Sequence, residues 1–137
     1  MTDQSATARV HEAIPLAATL GVRAEKYAAE EVALSLEWAP GLCTINGILH
    51  GGVIMALADS AGGACALLNL PKDSSGTATI ESKTNFLGAV RSGTVTATAT
   101  PLHLGGTTMV VETSVRDASG RLVAKVTQTQ VVLRARS

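Results

Sequence analysis

The spacing of hydrophobic positions changes repeatedly along this chain, and each change marks an element. Residues 8–20, ARVHEAIPLAATL, read as a short helix with Pro15 near its middle or marking a break. From Gly21 the spacing shortens. Val32, Leu34 and Leu36 alternate with Ala33, Ser35 and Glu37, the two-residue period of a strand, and Val22 to Tyr27 is placed to be its hairpin partner. Ala39-Pro40-Gly41 breaks the chain, and residues 42–50 form a loop. Residues 51–70, GGVIMALADSAGGACALLNL, are then apolar almost without interruption up to Pro71. Strands are read again over 76–87, 93–100, 107–116 and 122–133. In the third of these segments Met109, Val111, Thr113 and Val115 share one face, and Glu112, Ser114 and Arg116 the other. Asp117-Ala118-Ser119-Gly120 is a hairpin turn with Gly where φ must be positive. Residues 1–7 are small and polar and are expected to fray.

The order is helix, two strands, helix, four strands. It predicts an α+β fold in which a mostly antiparallel sheet curls around one central apolar helix. A helix that is apolar on every side is expected to be buried on every side. The run is also long enough to cross a membrane. Asp59 in its middle, the lack of Lys or Arg on its N-terminal flank and the strand-rich remainder argue against that.

Composition narrows the functional classes. A chain of 137 residues fits one domain, 1–137, and 46% hydrophobic residues against 16% charged ones suit a packed core rather than disorder. Eleven Lys and Arg balance eleven Asp and Glu, which argues against nucleic acid as the main partner and against a polybasic membrane anchor. The only aromatic residues are Tyr27, Trp38 and Phe86, too few for a base-stacking platform, so the core falls to Val, Leu, Ile and Ala. Cys43 and Cys65 are too few for a disulfide framework or a thiolate zinc site, and no metal-ligand cluster is visible. The opening MTDQSATARVHEA has no apolar signal core, so a cytoplasmic protein with free thiols is expected.

Asp59 is the most informative residue. A carboxylate inside an apolar helix is costly unless it is paired or used, and no Lys or Arg within 51–70 can pair with it. Either a residue on a distant strand satisfies it, or it is a base or nucleophile with a perturbed pKa. His50-Gly51-Gly52 stands where the helix begins. Free N–H groups there, backed by the positive end of the helix dipole, can form an oxyanion hole. His50 reads equally as a loop hydrogen bonder or a catalytic base. Gly62 and Gly63 each cost the helix roughly 1 kcal/mol relative to Ala. With Ala58, Ala61 and Ala66 they make a thin face that something approaches closely: the sheet, another helix or a ligand.

Gly47-Ile48-Leu49-His50-Gly51-Gly52 followed by Leu57-Ala58-Asp59-Ser60-Ala61 resembles the signature of hotdog-fold acyl-CoA thioesterases, in the phenylacetyl-CoA thioesterase-like branch. Pro15-Leu16 through Leu20-Gly21-Val22, Asn85-Phe86-Leu87, Arg91-Ser92-Gly93 and Asp117 to Ala124 extend the resemblance over most of the chain. It implies hydrolysis of an acyl-CoA thioester to free acid and CoA, without cofactor or metal; coenzyme A enters only as part of the substrate. Asp59 resembles the catalytic carboxylate, nucleophile or general base, and Gly51 the residue whose N–H polarises the carbonyl. Thr79 falls where relatives place a Ser or Thr that orients water, and His50 resembles a residue shaping the loop. Relatives often carry Asn or Gln where this chain has Thr44; Asn46 is near but out of register. Gly52 is carried over with Gly51 as substrate-binding. Gly105-Gly106 replaces a usual cation, leaving Lys83 and Arg91 as candidate contacts to CoA.

Gly51 and Asp59 are eight residues apart, roughly 12 Å along one helix. An oxyanion donor and a nucleophile must both reach one carbonyl group within about 3 Å. If both roles hold, two chains share each active site in a homodimer. The resemblance implies the same, and further implies that dimers pair into a homotetramer. Two other readings compete: a non-catalytic acyl-CoA sensor or carrier, and a hotdog dehydratase, which the lack of a second His-containing motif disfavours.

Overall fold

The fold is taken from a computed structural model, which describes residues 2–135. Asp3 opens the first helix, α1 (Gln4–Ala13), and its carboxylate accepts the Ala6 N–H at 2.9 Å. The frayed tail expected over residues 1–7 is therefore ordered from Asp3 onward, and Met1 lies outside the described residues. Tertiary hydrogen bonds account for the difference. The Asp3 N–H donates to Ala24 O at 2.7 Å, and the Ala24 N–H donates to Thr7 Oγ1 at 2.9 Å. Pro15 begins a second helix, α2 (Pro15–Leu20), so of the two readings of 8–20 it is the break at Pro15 that the structure shows. Gly21 ends α2 in the left-handed region, at φ +71°.

Six strands follow the expected order: β1 (Arg23–Ala28), β2 (Glu31–Glu37), then β3 (Ser74–Phe86), β4 (Thr94–Leu104), β5 (Thr108–Arg116) and β6 (Leu122–Arg134). They form one antiparallel sheet in the order β1-β2-β4-β5-β6-β3. Between β2 and β3 the apolar run forms α3 (Gly51–Leu68), which packs against β2, β4, β5, β6 and β3. The inward faces of the strands are those the alternation marked: Leu34 and Leu36 on β2, Met109, Val111 and Val115 on β5, all fully buried. Ala97 and Ala99 on β4 and Ala58 and Ala61 on α3 are buried as well, and such small side chains bring helix and sheet backbones close together. Among the described residues no aromatic side chain is fully buried, as the aliphatic composition requires.

A second expectation fails as well. The sheet covers α3 on one side only, and half of the helix is buried. Gly52, Met55, Asp59 and Leu67 are exposed. With half-buried Gly63 between Asp59 and Leu67, they recur every three or four residues and make one uncovered stripe down the helix. β3 is uncovered in the same sense. It is a 13-residue edge strand paired only with β6, and it leaves Ile80 and Phe86 exposed. The other edge, β1, is half as long and carries Arg23, Glu25 and Lys26, charges of the kind that discourage further pairing.

Replacing Asp3 by Ala removes the cap of α1 and should cost about 1 kcal/mol. Chemical denaturation should show a lower midpoint with an unchanged slope.

Candidate active site

The loop before α3 is held on all sides. The His50 N–H donates to Leu42 O at 2.9 Å, the Leu49 N–H to Val90 O at 2.8 Å, and the Trp38 indole N–H to Gly47 O at 3.0 Å. Asn46 and Gly47 take positive φ in succession, +59° and +69°, which turns the chain so that the Thr44 N–H meets Ile48 O at 2.8 Å. Asn is among the few non-Gly residues that tolerate this conformation, so the backbone alone accounts for Asn46.

His50 caps α3. Its backbone is extended, and its Nδ1 accepts the Gly52 N–H at 2.7 Å. An accepting Nδ1 puts the neutral ring's proton on Nε2. Of the two sequence readings for His50, the structural one is thus realised at Nδ1. The cap takes the Gly52 N–H out of play. It leaves the Gly51 N–H, at the positive end of the helix, with no acceptor among the described residues. The Phe86 ring lies against this position: a Cβ on Gly51 would stand 3.1 Å from it.

Asp59 lies a little over two turns further along α3. Its partner on a distant strand exists: Gln128 of β6 donates from Nε2 to Asp59 Oδ1 at 2.8 Å. That partner is a neutral amide and occupies one oxygen. Oδ2 has no hydrogen bond among the described residues, and the side chain is exposed. Thr79 of β3 is served in the same way, because Gln130 Nε2 donates to its Oγ1 at 2.7 Å while Thr77 Oγ1 donates to Gln130 Oε1 at 3.2 Å. Both glutamines are buried on one face of β6, about 7 Å apart. Asp59 and Thr79 of one chain are therefore brought to the same side of the sheet. Neither glutamine was recognised from sequence. The available signal was register: Val126, Gln128 and Gln130 alternate on the inward face of the last strand.

The thin face of α3 resolves into two parts. Gly62 is approached by the sheet, for a Cβ there would collide with Gln128 Oε1. Gly63 meets nothing within 4 Å. It opens instead on a groove of about 290 Å³ with Asp59, Ala64 and Leu67 on one wall and Val10, Ala13, Ile14 and Tyr27 on the other. The groove is largely apolar, with Asp59 in its wall.

The remaining candidates lie apart. Thr44 is exposed, and its hydroxyl makes no hydrogen bond among the described residues. Lys83 is exposed on β3, four residues beyond Thr79. Arg91 lines a separate cavity of about 270 Å³ with Ser92, Ser119 and Arg121. There the Ser119 hydroxyl, with backbone and Arg121 donors, holds the Asp117 carboxyl below the usual range. Burial pushes the Cys65 thiol up, away from the thiolate a nucleophile would need. Among the described residues no group of three His, Cys, Asp or Glu side chains is placed to hold a metal.

Residues 46–124 match the model of the thioesterase superfamily. A Vibrio cholerae protein, named only provisionally as an esterase, is 37% identical over 90 residues, 66% of this chain and 59% of that protein. A Saccharolobus solfataricus protein named in the same way is 39% identical over 91 residues, 66% of this chain and 64% of that one. The chain thus matches about three fifths of the length of these curated relatives. The structure of a variant thioesterase from Pseudomonas aeruginosa superposes with a TM-score of 0.86 at 27% identity, covering 94% of both chains.

Replacing His50 by Ala should destabilise the protein by about 1 kcal/mol, through loss of the cap on the Gly52 N–H. His50→Asn, which offers a capping oxygen, should recover most of that in the same denaturation experiment.

Proposed function

We infer, from the premise that this chain belongs to the thioesterase superfamily, that it hydrolyses an acyl-CoA thioester to free acid and CoA. The observation that carries the reading is Asp59: an exposed carboxylate in the middle of an apolar helix and in the wall of an apolar groove, with a hydrogen bond to one oxygen only. In this reading the Gly51 N–H polarises the thioester carbonyl. Asp59 either attacks the carbonyl carbon or takes a proton from the water that does, and Thr79 orients that water. In the first case the C–S bond breaks as an acyl–aspartate anhydride forms, and water then hydrolyses the anhydride to the free acid while one of its protons goes to the CoA thiolate. In the second the adduct of water collapses with cleavage of the C–S bond, and the thiolate takes the proton that Asp59 holds. The groove suits a compact acyl group, and the resemblance favours an aromatic one. Lys83 and Arg91 remain the candidates for the CoA phosphates, with Arg121 beside Arg91. No cofactor or metal takes part. A sensor that only bound acyl-CoA would have no use for the open carboxylate oxygen.

Two features support a shared site in a homodimer of this hotdog fold. α3 has an uncovered stripe that includes Asp59, and β3 has a free edge close in sequence to Phe86, which packs on Gly51. A second copy placed there brings the helix start of one chain to the helix middle of the other. Pairing of dimers into tetramers and a cytoplasmic location complete the proposal.

The test is a panel of short, medium and aromatic acyl-CoAs assayed with a thiol-reporting dye. Turnover of at least one is expected, and Asp59→Asn should lower kcat at least about a hundredfold with the fold intact. No turnover across the panel defeats the reading; an active Asp59→Asn variant makes the carboxylate structural.

Sharing of the site has its own measurement. Asp59→Asn and Gly51→Pro should each be inactive alone. The Phe86 ring, being exposed, can yield to the added proline. Random reassortment makes half the dimers mixed, each with one intact site, so about a quarter of wild-type activity should return. If mass spectrometry shows mixed dimers and activity stays at the parental level, the two groups do not meet across chains.

A further inference from the structure

The buried side chain of Gln128 has no packing rationale. It is fully enclosed, yet its Oε1 has no hydrogen-bond partner. A buried amide with an unmet oxygen is destabilising where a Leu or Met of similar volume would not be. The space it occupies is also bought at the helix, since Gly62 must lack a side chain to admit Oε1. One contact makes use of the arrangement: Nε2 donates to Asp59 Oδ1 at 2.8 Å. The orientation of the amide is fixed by chemistry, because an ionised carboxylate only accepts, and a reversed amide would set oxygen against oxygen.

We propose that Gln128 is a positioning residue for Asp59, seated by Gly62, and that it holds the carboxylate in one rotamer with Oδ2 turned to the groove. The proposal rests on the reading of Asp59 as the catalytic carboxylate. A neutral donor suits that task. It fixes one oxygen without bringing a cation that would weaken the other as base or nucleophile. Because Gln128 sits on a strand and is packed on every side, it is rigid in a way that a residue on the preceding loop would not be. Gln130, two residues on, holds Thr79 from the same face, so one strand sets the positions of both groups.

The test compares Gln128→Met, which keeps the volume and removes the donor, with Gly62→Ala, which pushes the amide out of its seat. Each should lower kcat roughly tenfold to a hundredfold while leaving KM within about twofold, and the double variant should be no worse than either single one. Gln128→Glu should move the acid limb of the kcat–pH profile upward, since two adjacent carboxylates compete for one proton. Thermal stability of Gln128→Met should hold or rise, which separates positioning from a structural role. If Asp59→Asn is inactive while Gln128→Met keeps wild-type kcat, the positioning role is overturned and the thioesterase reading stands. If the wild type turns over no acyl-CoA, that reading falls. Crystal structures of the wild type and Gln128→Met then decide this proposal alone: Asp59 should hold a single rotamer in the wild type and lose it in Gln128→Met, and an unchanged rotamer overturns it.

Discussion

A helix with one charged side chain in eighteen residues has to be covered, and a six-stranded sheet reaches only one side of α3. That constraint organises the molecule. On the covered side it demands small residues, and Ala58, Ala61, Ala97 and Ala99 let the two backbones approach until a polar side chain from β6 can cross to the helix. On the open side it leaves a stripe of Gly52, Met55, Asp59 and Leu67 with the free carboxylate in its middle. The same helix therefore presents a core face and a chemical face, and its two ends do different work. Its start offers an unused N–H, and its middle a half-used carboxylate.

Much of this was legible in the chain. Period-two alternation placed β2 and β5 because their helix-facing positions are mostly apolar, as Leu34, Leu36, Met109, Val111 and Val115 are. The turn at Asp117 to Gly120 was legible because only certain residues take its backbone angles, and Gly120 adopts φ +88°. Asp59 stood out because a carboxylate in an apolar run is rare for physical reasons.

What escaped was tertiary. The order at Asp3 depends on a hydrogen bond to Ala24, twenty-one residues away, which local polarity does not announce. The open stripe of α3 was unreadable because apolar composition looks the same whether a sheet or a second chain covers it. Gln128 and Gln130 lay in the inward register of β6 but were passed over, since their meaning depends on what α3 and β3 set opposite them. Gly62 had a recognisable cost, and only the path of Gln128 explains it. The roles of His50 were left open by its position before a helix; the cap to Gly52 shows how its Nδ1 is used.

The scarcity of aromatic residues has a practical side. Trp38 is the one tryptophan in the chain, and its indole N–H is tied to Gly47 O, in the loop that leads directly to His50 and Gly51. Indole emission is sensitive to hydrogen bonding and to water. The protein thus carries an intrinsic optical reporter beside the start of α3, free of interference from other tryptophans, through which movement of that loop can be followed without a label.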